Sequence, residues 1–120
     1  MHITDLQGTV KLNNGIQMPY FGLGVFQMKD GDEVKNSVIS ALEIGYKHID
    51  TAALYENEIG VGKAIKESGI NREEIFVTTK VWNSDQGYEK TLKAFDVSLN
   101  KLGLEYIDLY LIHWPVKNKY

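Results

Sequence analysis

The most informative absence in this 120-residue chain is cysteine, of which there is none. Without thiols the chain can form neither disulfides nor thiolate metal sites, and thiolate catalysis is excluded as well. A strong excess of charge is also missing, because 13 basic and 16 acidic side chains leave a formal net charge of -3. This balance disfavours nucleic acid and anionic membrane surfaces as partners.

Long hydrophobic runs are lacking too. The longest apolar stretches, such as residues 109–112, are far too short to span a bilayer. The first five residues contain no basic segment followed by an apolar run, so we expect no signal peptide. With 24% charged and 43% hydrophobic residues the composition is typical of a soluble globular protein, and we predict a cytoplasmic one.

Strand and helix patterns alternate after an N-terminal hairpin. In the hairpin, between Thr9 and Pro19, two short apolar segments flank Asn13-Asn14-Gly15, and Asn-Gly tolerates the positive φ of tight turns. Four strand-like runs then alternate with three amphipathic stretches. We predict strands over 10–12, 16–18, 20–23, 46–50, 75–80 and 106–113, and helices over about 31–44, 57–68 and 88–102.

Two of the predicted helices carry additional signals. Asp30 is followed three residues later by Glu33, which predicts a capping box with Asp30 as N-cap of the first helix. The third helix repeats apolar residues at intervals of four and three, which predicts one core-facing stripe. The stripe consists of Tyr88, Leu92, Phe95, Leu99 and Leu102.

Strict alternation of strands and helices predicts an α/β fold with parallel strands and right-handed crossovers. Ligands of such folds bind at the C-terminal ends of the strands. Polar side chains occupy these ends in consecutive units. Asp50 ends the strand over 46–50 and Tyr55 follows it in the same loop, while Lys80 and His113 end the next two strands.

Together these four side chains are suited to giving a proton to an oxygen. A phenol, with an ordinary pKa of about 10, is a reluctant acid at neutral pH, and a neighbouring ammonium makes it a stronger one. The ammonium needs a counter-charge in a dry pocket, which Asp50 supplies, and a neutral imidazole can orient a carbonyl oxygen. Each residue alone also fits a structural role as turn former, surface lysine, core histidine or packed tyrosine. Four at consecutive strand ends favour the chemical interpretation.

Glycines and aromatic residues near the strand ends are less specific. Gly22-Leu23-Gly24 resembles the start of a dinucleotide-binding fingerprint but lacks the third glycine, so we reject a Rossmann site and favour a tight turn. The histidines lack the spacing of metal ligands, so no metal site is predicted. Apolar side chains at the strand ends could wall a substrate pocket, although aromatic residues are as often plain core. They are Phe26, Leu54, Trp82 and Trp114.

Four segments of the sequence, taken together, match one enzyme family. They cover 18–24, 45–58, 78–82 and 108–115 and read MPYFGLG, GYKHIDTAALYENE, TTKVW and DLYLIHWP. On these motifs the chain resembles the aldo-keto reductases, in particular bacterial members of the glyoxal or methylglyoxal reductase and 2,5-diketo-gluconate reductase type. The resemblance runs in order through nearly all of the chain.

The resemblance implies a (β/α)8 barrel preceded by a hairpin that closes its bottom, and an NADPH-dependent reduction of aldehydes or ketones. It implies that Tyr55 is the general acid, that Lys80 and Asp50 tune it, and that His113 orients the substrate. It also implies binding roles for further residues near the strand ends. Those near the cofactor are Gly24, Val25 and Asp50, and those near the substrate are Phe26, Leu54, Trp82, His113 and Trp114.

Such barrels run to about 250 residues, so the resemblance covers their N-terminal half. We interpret residues 1–120 as a single, incomplete aldo-keto reductase domain. Four parallel strands without closure leave two open sheet edges. We therefore expect self-association, pairing with a complementing half barrel, a flatter sheet or aggregation. Two alternatives stay open: a truncated, non-catalytic half-barrel module or binding subunit, and an independent doubly wound ligand-binding domain.

Overall fold

The computed structural model describes residues 6–117. Residues 1–5, where we expect no signal peptide, lie outside the described residues, as do 118–120. The strands are β1 (Thr9–Lys11), β2 (Gln17–Pro19), β3 (Leu23–Gly24), β4 (His48–Asp50), β5 (Phe76–Val81) and β6 (Leu109–Ile112). The helices are α1 (Asp32–Ile44), α2 (Glu58–Glu67) and α3 (Tyr88–Leu102).

The strands form an antiparallel hairpin and a four-stranded parallel sheet. In the hairpin β1 pairs with β2, with Thr9 opposite Pro19. The parallel sheet has the order β3-β4-β5-β6, so each strand lies beside the one that follows it in the chain. A doubly wound sheet reverses its direction of growth, whereas a barrel grows in sequential order. The predicted hairpin and first four barrel strands are confirmed, and the doubly wound alternative is wrong.

One apolar core lies between the parallel sheet and the helices. Alternate residues of a strand point to opposite faces, and Ile49 and Val77 turn fully buried side chains to the helix side. Each such side chain contributes about 1.5–3 kcal/mol relative to exposure. The helices contribute Val34, Val38 and Leu42 from α1, Val61, Ala64 and Ile65 from α2, and Leu102 from α3.

The start of α1 differs from the predicted capping box. The N-cap is Gly31, with φ of 90° and no side-chain capping bond, so the assignment of Asp30 as N-cap is wrong. The Asp30 carboxylate instead accepts a hydrogen bond of 2.8 Å from the Gly60 N–H, in the first turn of α2. Glu33 does reach back, but to the N–H of Lys29. With the positive φ at Gly31, the Asp30 carboxylate faces α2 and accepts a hydrogen bond from its first turn.

Three strands begin two or more residues later than predicted, namely β3, β4 and β6, and the other strands differ from their predicted bounds by one residue. For β3 and β6, other groups bind the backbone that precedes the strand. Tyr20 donates its N–H to Gly8 of the hairpin segment at 3.3 Å, so the first barrel strand begins only at Leu23. Arg72 donates to the Tyr106 carbonyl at 2.9 Å and to the Asp108 carboxylate at 2.8 Å. The segment 106–108 is therefore held by a side chain, and β6 begins at Leu109.

The predicted stripe of α3 is only partly buried. Leu102 is 1% exposed and Phe95 packs edge-on against Tyr110 with ring centroids 5.3 Å apart, but Tyr88 is 82% and Leu92 54% exposed. The described residues thus cover the C-terminal half of the stripe better than its start. Across residues 6–117 no helix combines the length and the apolar character that crossing a membrane requires.

Tyr110 yields a prediction about pH and stability. Its buried hydroxyl has no hydrogen-bond partner among residues 6–117, and burial, followed by the charges of Glu58 and Asp85, raises its pKa to about 12. The folded state therefore disfavours the phenolate, so this contribution to stability is present below about pH 10 and is lost as the pH rises toward 12. Tyr110→Phe should leave the free energy of unfolding unchanged or raise it by about 1 kcal/mol at neutral pH. Urea unfolding of both proteins at pH 7 and above pH 10 checks this, and a clear loss of stability at pH 7 would contradict it.

Candidate active site

Asp50 and Lys80 meet at the C-terminal ends of β4 and β5. The parallel register places Asp50 beside Thr78, so Lys80, two residues further along β5, extends over the same face. The Lys80 ammonium contacts the Asp50 carboxylate and donates a second hydrogen bond of 2.9 Å to the carbonyl of Thr51. The Lys80 side chain is only 14% exposed. A carboxylate and a carbonyl at the ammonium satisfy a charge that would be costly to bury alone.

Tyr55 stands next to this pair, at the end of a short 3-10 turn over Ala53–Tyr55. The Lys80 Nζ lies 5.2 Å from the centre of the Tyr55 ring. The other sides of the ring face Phe26, at 5.2 Å between centroids, and His113, at 5.7 Å and nearly perpendicular. The predicted general acid is thus surrounded by the ammonium, an imidazole and an exposed aromatic side chain.

His113 directly follows β6 and donates its backbone N–H to the Val81 carbonyl at 3.2 Å. Its imidazole packs edge-on against Trp82, with ring centroids 5.3 Å apart, in addition to Tyr55. The buried Nδ1 atom has no hydrogen-bond partner among residues 6–117. Burial lowers the pKa of His113, the nearby Lys80 charge lowers it further, and Asp50 partly opposes the shift. The neutral ring, with a single N–H donor, is therefore favoured.

The lowered pKa of His113 predicts how stability changes in mild acid. The ordinary value of about 6.5 applies to the unfolded chain, which therefore takes up the proton first. The contribution of the neutral ring is complete above pH 6.5 and is lost as the pH falls below it toward the folded pKa. Urea unfolding between pH 5 and 7 should accordingly show a decline that is smaller in His113→Gln. Equal declines in the two proteins would exclude this role of the imidazole.

The predicted substrate wall is only partly assembled around Tyr55. Phe26 and Trp114 are 62% and 58% exposed, and Trp82 packs against both His113 and Trp114. Leu54 lies elsewhere, in a cleft of about 420 Å³ that Trp82 also lines and that α3 borders with Ala94 and Val97. Three of the four predicted wall residues therefore gather near the imidazole and phenol, while Leu54 faces α3.

The predicted cofactor residues Gly24 and Val25 differ in how accessible they are to a ligand. Gly24 pairs with Asp50 across β3 and β4, and a Cβ at Gly24 would meet no atom within 4 Å. Val25 has a fully buried side chain in the core, and its N–H donates to the Asp50 carbonyl at 3.1 Å. Open space at this edge is therefore found at Gly24. Residues 6–117 contain no cluster of three or more acidic or histidine side chains that could hold a metal ion.

Four buried polar residues next to the site were not singled out by the sequence. The Thr51 hydroxyl donates to the Asn57 Oδ1 at 2.7 Å, and the Thr79 hydroxyl donates to the Glu58 carboxylate at 2.7 Å. All four are at most 2% exposed. Asn57 and Glu58 could not be recognised in the sequence because polar residues are common at the start of any helix. Thr79 could have been recognised, since a polar residue at a helix-facing position of β5 needs a buried hydrogen-bond partner.

The sequence and the fold are similar to those of known aldo/keto reductases. The family model described as "Aldo/keto reductase family" matches residues 20–120. Glyoxal reductase of Bacillus subtilis (strain 168) is 62% identical over 117 residues, covering 98% of this chain and 42% of that protein. A crystal structure of an aldo/keto reductase from Brucella melitensis superposes with a TM-score of 0.88 at 59% identity, covering 97% of this chain and 44% of its own.

A third relative carries a nucleotide. The crystal structure of a Bombyx mori aldo-keto reductase in complex with NADP superposes with a TM-score of 0.85 at 43% identity, covering 93% of this chain and 39% of that chain. The chain thus spans about two fifths of the length of the relatives that it matches. The family model matches well over half of the chain, in line with the sequential strand order and the gathered strand-end residues. This chain belongs to the aldo/keto reductase family.

Proposed function

We propose that this chain supplies the acid–base groups for NADPH-dependent reduction of small aldehydes and ketones, such as methylglyoxal, to alcohols. The observation that carries the proposal is the position of the Lys80 ammonium. It is held by Asp50 and by the Thr51 carbonyl at 2.9 Å, and it lies 5.2 Å from the centre of the Tyr55 ring. A phenol beside a fixed ammonium is suited to protonating a carbonyl oxygen.

Each residue then has a separate task around one carbonyl group. When bound, NADPH supplies the hydride that the carbonyl carbon accepts. Tyr55 gives its phenolic proton to the carbonyl oxygen, and the neighbouring Lys80 stabilises the phenolate that remains. The carboxylate of Asp50 contacts the Lys80 ammonium and holds it in place. The neutral ring of His113 donates a hydrogen bond that orients the carbonyl oxygen.

The residues present fit part of a nicotinamide site. The end of β3 at Gly24 is open, because nothing lies within 4 Å of where a side chain would begin, and Asp50 is its partner in the sheet. A flat ring can therefore approach the backbone there. The NADP found with the Bombyx mori relative supports the same class of cofactor. Gly24 and Asp50 would hold the reacting end of the dinucleotide.

Binding and turnover test the proposal in sequence. NADPH added to the chain should quench the fluorescence of Trp82 and Trp114, and NADPH should then be consumed when methylglyoxal or a nitrobenzaldehyde is supplied. NADH in place of NADPH tests the cofactor preference. If NADPH binds without any turnover on either carbonyl compound, the assignment of the acid–base groups is wrong.

The second candidate is a single incomplete domain, a non-catalytic half-barrel module, that binds cofactor only with a complementing half. Within residues 6–117, β3 and β6 each pair on one side only. Ile112 on β6 is 64% exposed, and Trp114 just beyond it is 58% exposed. Exposed apolar groups along an open edge favour pairing with another chain. Sedimentation should then reveal self-association, and a cooperatively unfolding monomer at micromolar concentration would count against this candidate.

A further inference from the structure

The turn that carries Phe26 is short and has an unusual backbone. A backbone hydrogen bond closes the turn, in which the N–H of Met28 donates to the carbonyl of Val25 at 3.1 Å. Gln27 has φ of 66°, which a residue with a side chain seldom adopts. Conformations of this kind persist only where the surroundings hold them. The turn therefore needs support from the rest of the site.

A buried amide supplies that support from beneath. Asn57 is fully buried, and its Nδ2 group donates to the carbonyls of Val25 and Met28, both at 3.0 Å. These are the first and the last residue of the turn. The Asn57 Oδ1 accepts a hydrogen bond of 2.7 Å from the hydroxyl of Thr51, which is also fully buried. Both N–H groups and the oxygen of the amide are thus engaged, which fixes its orientation.

The same bonded unit joins the turn to the acid–base groups. Asn57 follows Tyr55 by two residues, and Thr51 follows Asp50 and gives its carbonyl to the Lys80 ammonium at 2.9 Å. Phe26, at the tip of the turn, is 62% exposed but keeps its ring centroid 5.2 Å from that of Tyr55. An exposed aromatic ring holds such a position only if its backbone is fixed.

We propose that Asn57, oriented by Thr51, is a positioning residue that fixes Phe26 beside the proton donor and thereby favours carbonyl substrates that carry a flat apolar group. This inference rests on the proposed carbonyl reduction. Phe26 presents a ring face next to Tyr55, and aromatic groups pack well on such a surface. A compact substrate such as methylglyoxal makes less use of it.

Hydrogen exchange tests the support of the turn without requiring turnover. The variants are Asn57→Ala, which removes both donors, and Thr51→Val, which keeps the shape and removes one hydroxyl. Thr78→Val is the matched control, because Thr78 is also buried and its hydroxyl bonds to His48 at 2.8 Å, away from the turn. The exchange rate of the Met28 amide is measured relative to that of the core amide of Val77, so that a general loss of stability cancels.

The relative exchange of Met28 should rise about 10- to 100-fold in Asn57→Ala, which loses two hydrogen bonds to the turn, and about fivefold in Thr51→Val, which loses the one bond that orients the amide. The control should change it less than about twofold. Equal ratios in Thr51→Val and Thr78→Val would overturn the proposal. Thr51→Val preserves the packing, so this comparison remains decisive if Asn57→Ala does not fold.

Turnover of two substrates tests the consequence for selectivity. In Thr51→Val the ratio of the KM for nitrobenzaldehyde to the KM for methylglyoxal should rise about fivefold, as expected for the loss of one hydrogen bond. A purely structural role would alter both substrates alike, and that result would reject the selectivity. If neither the unaltered chain nor Thr51→Val turns over any carbonyl compound while Met28 exchange responds as expected, the proposed function is wrong. The support of the turn by Asn57 would still hold in that case.

Discussion

Replacing Tyr55 with phenylalanine should reduce kcat for carbonyl reduction by about 10²- to 10⁴-fold, the usual contribution of a positioned general acid. The substitution removes only the hydroxyl, so the ring contacts with Phe26 and His113, at 5.2 and 5.7 Å, are retained. Because the hydride acceptor would then lack its proton donor, NADPH binding should persist while the rate of NADPH consumption falls by the same factor as kcat. Steady-state rates and a fluorescence titration on the same protein check both halves of this expectation.

Tyr88→Phe provides the matched control for this substitution. Tyr88 lies at the start of α3 and is 82% exposed, so loss of its hydroxyl should leave kcat and NADPH binding unchanged. Unchanged turnover in Tyr55→Phe would show that the proton comes from another group. Reduced NADPH affinity together with reduced kcat would instead indicate that the hydroxyl serves in cofactor binding.

Replacing Gly62 with alanine should lower the free energy of unfolding by about 3 kcal/mol, near the upper end for overpacking a core. Gly62 is buried where α2 meets the end of α3, and a Cβ there would lie 2.6 Å from the carbonyl carbon of Leu102 and closer still to its oxygen. These are backbone atoms, so the two helices would have to move apart. Alanine is otherwise the better helix former by about 1 kcal/mol, which makes a net loss of stability diagnostic.

Gly60→Ala, in the same helix, provides the comparison. A Cβ at Gly60 would approach the side chains of Val34 and Asp30 most closely, and side chains can shift more easily than a helix backbone. Its loss of stability should therefore be the smaller of the two. Urea unfolding followed by circular dichroism measures both, and a change in the midpoint without a change in slope identifies a simple loss of stability. Equal losses would refute a backbone clash at Gly62.

The assembly of Asp50, Lys80 and His113 could be predicted because it depends on few physical rules. Strand-like runs separated by helical ones predict parallel pairing, and parallel pairing places strand ends at one edge. The register that brings Asp50 beside Thr78 then needs no knowledge of side-chain detail. Tyr55 could be placed near the same edge because it comes only five residues after Asp50, in the loop that follows β4. Even an error of several residues in the start of β6 changes its end by only one residue, because β6 ends at Ile112 and His113 directly follows it.

The hydrogen-bond partners of the buried polar residues could not be predicted because they lie far away in the sequence. Asp30 has the local signature of a cap, but the Gly60 N–H, 30 residues away, is its actual donor. Asn57 occupies the N-cap position of α2, yet its side chain makes no capping bond there and its amide donates to the carbonyls of Val25 and Met28. Side chains that can satisfy either a local or a distant backbone group give the same sequence pattern in both cases. The position of the segment between β3 and α1 against the start of α2 decides between them.

The sequential order of β3, β4, β5 and β6 also determines how these contacts can form in time. The Asp50–Lys80 pair joins residues 30 apart, Asn57 reaches Val25 across 32, and Arg72 reaches Asp108 across 36. Each span is close to one βα unit, so each of these three bonds links a unit to the one before it. Loops of this size are inexpensive to close in entropy. The Lys80 ammonium can therefore meet Asp50 as soon as β5 docks on β4, without any contribution from β6.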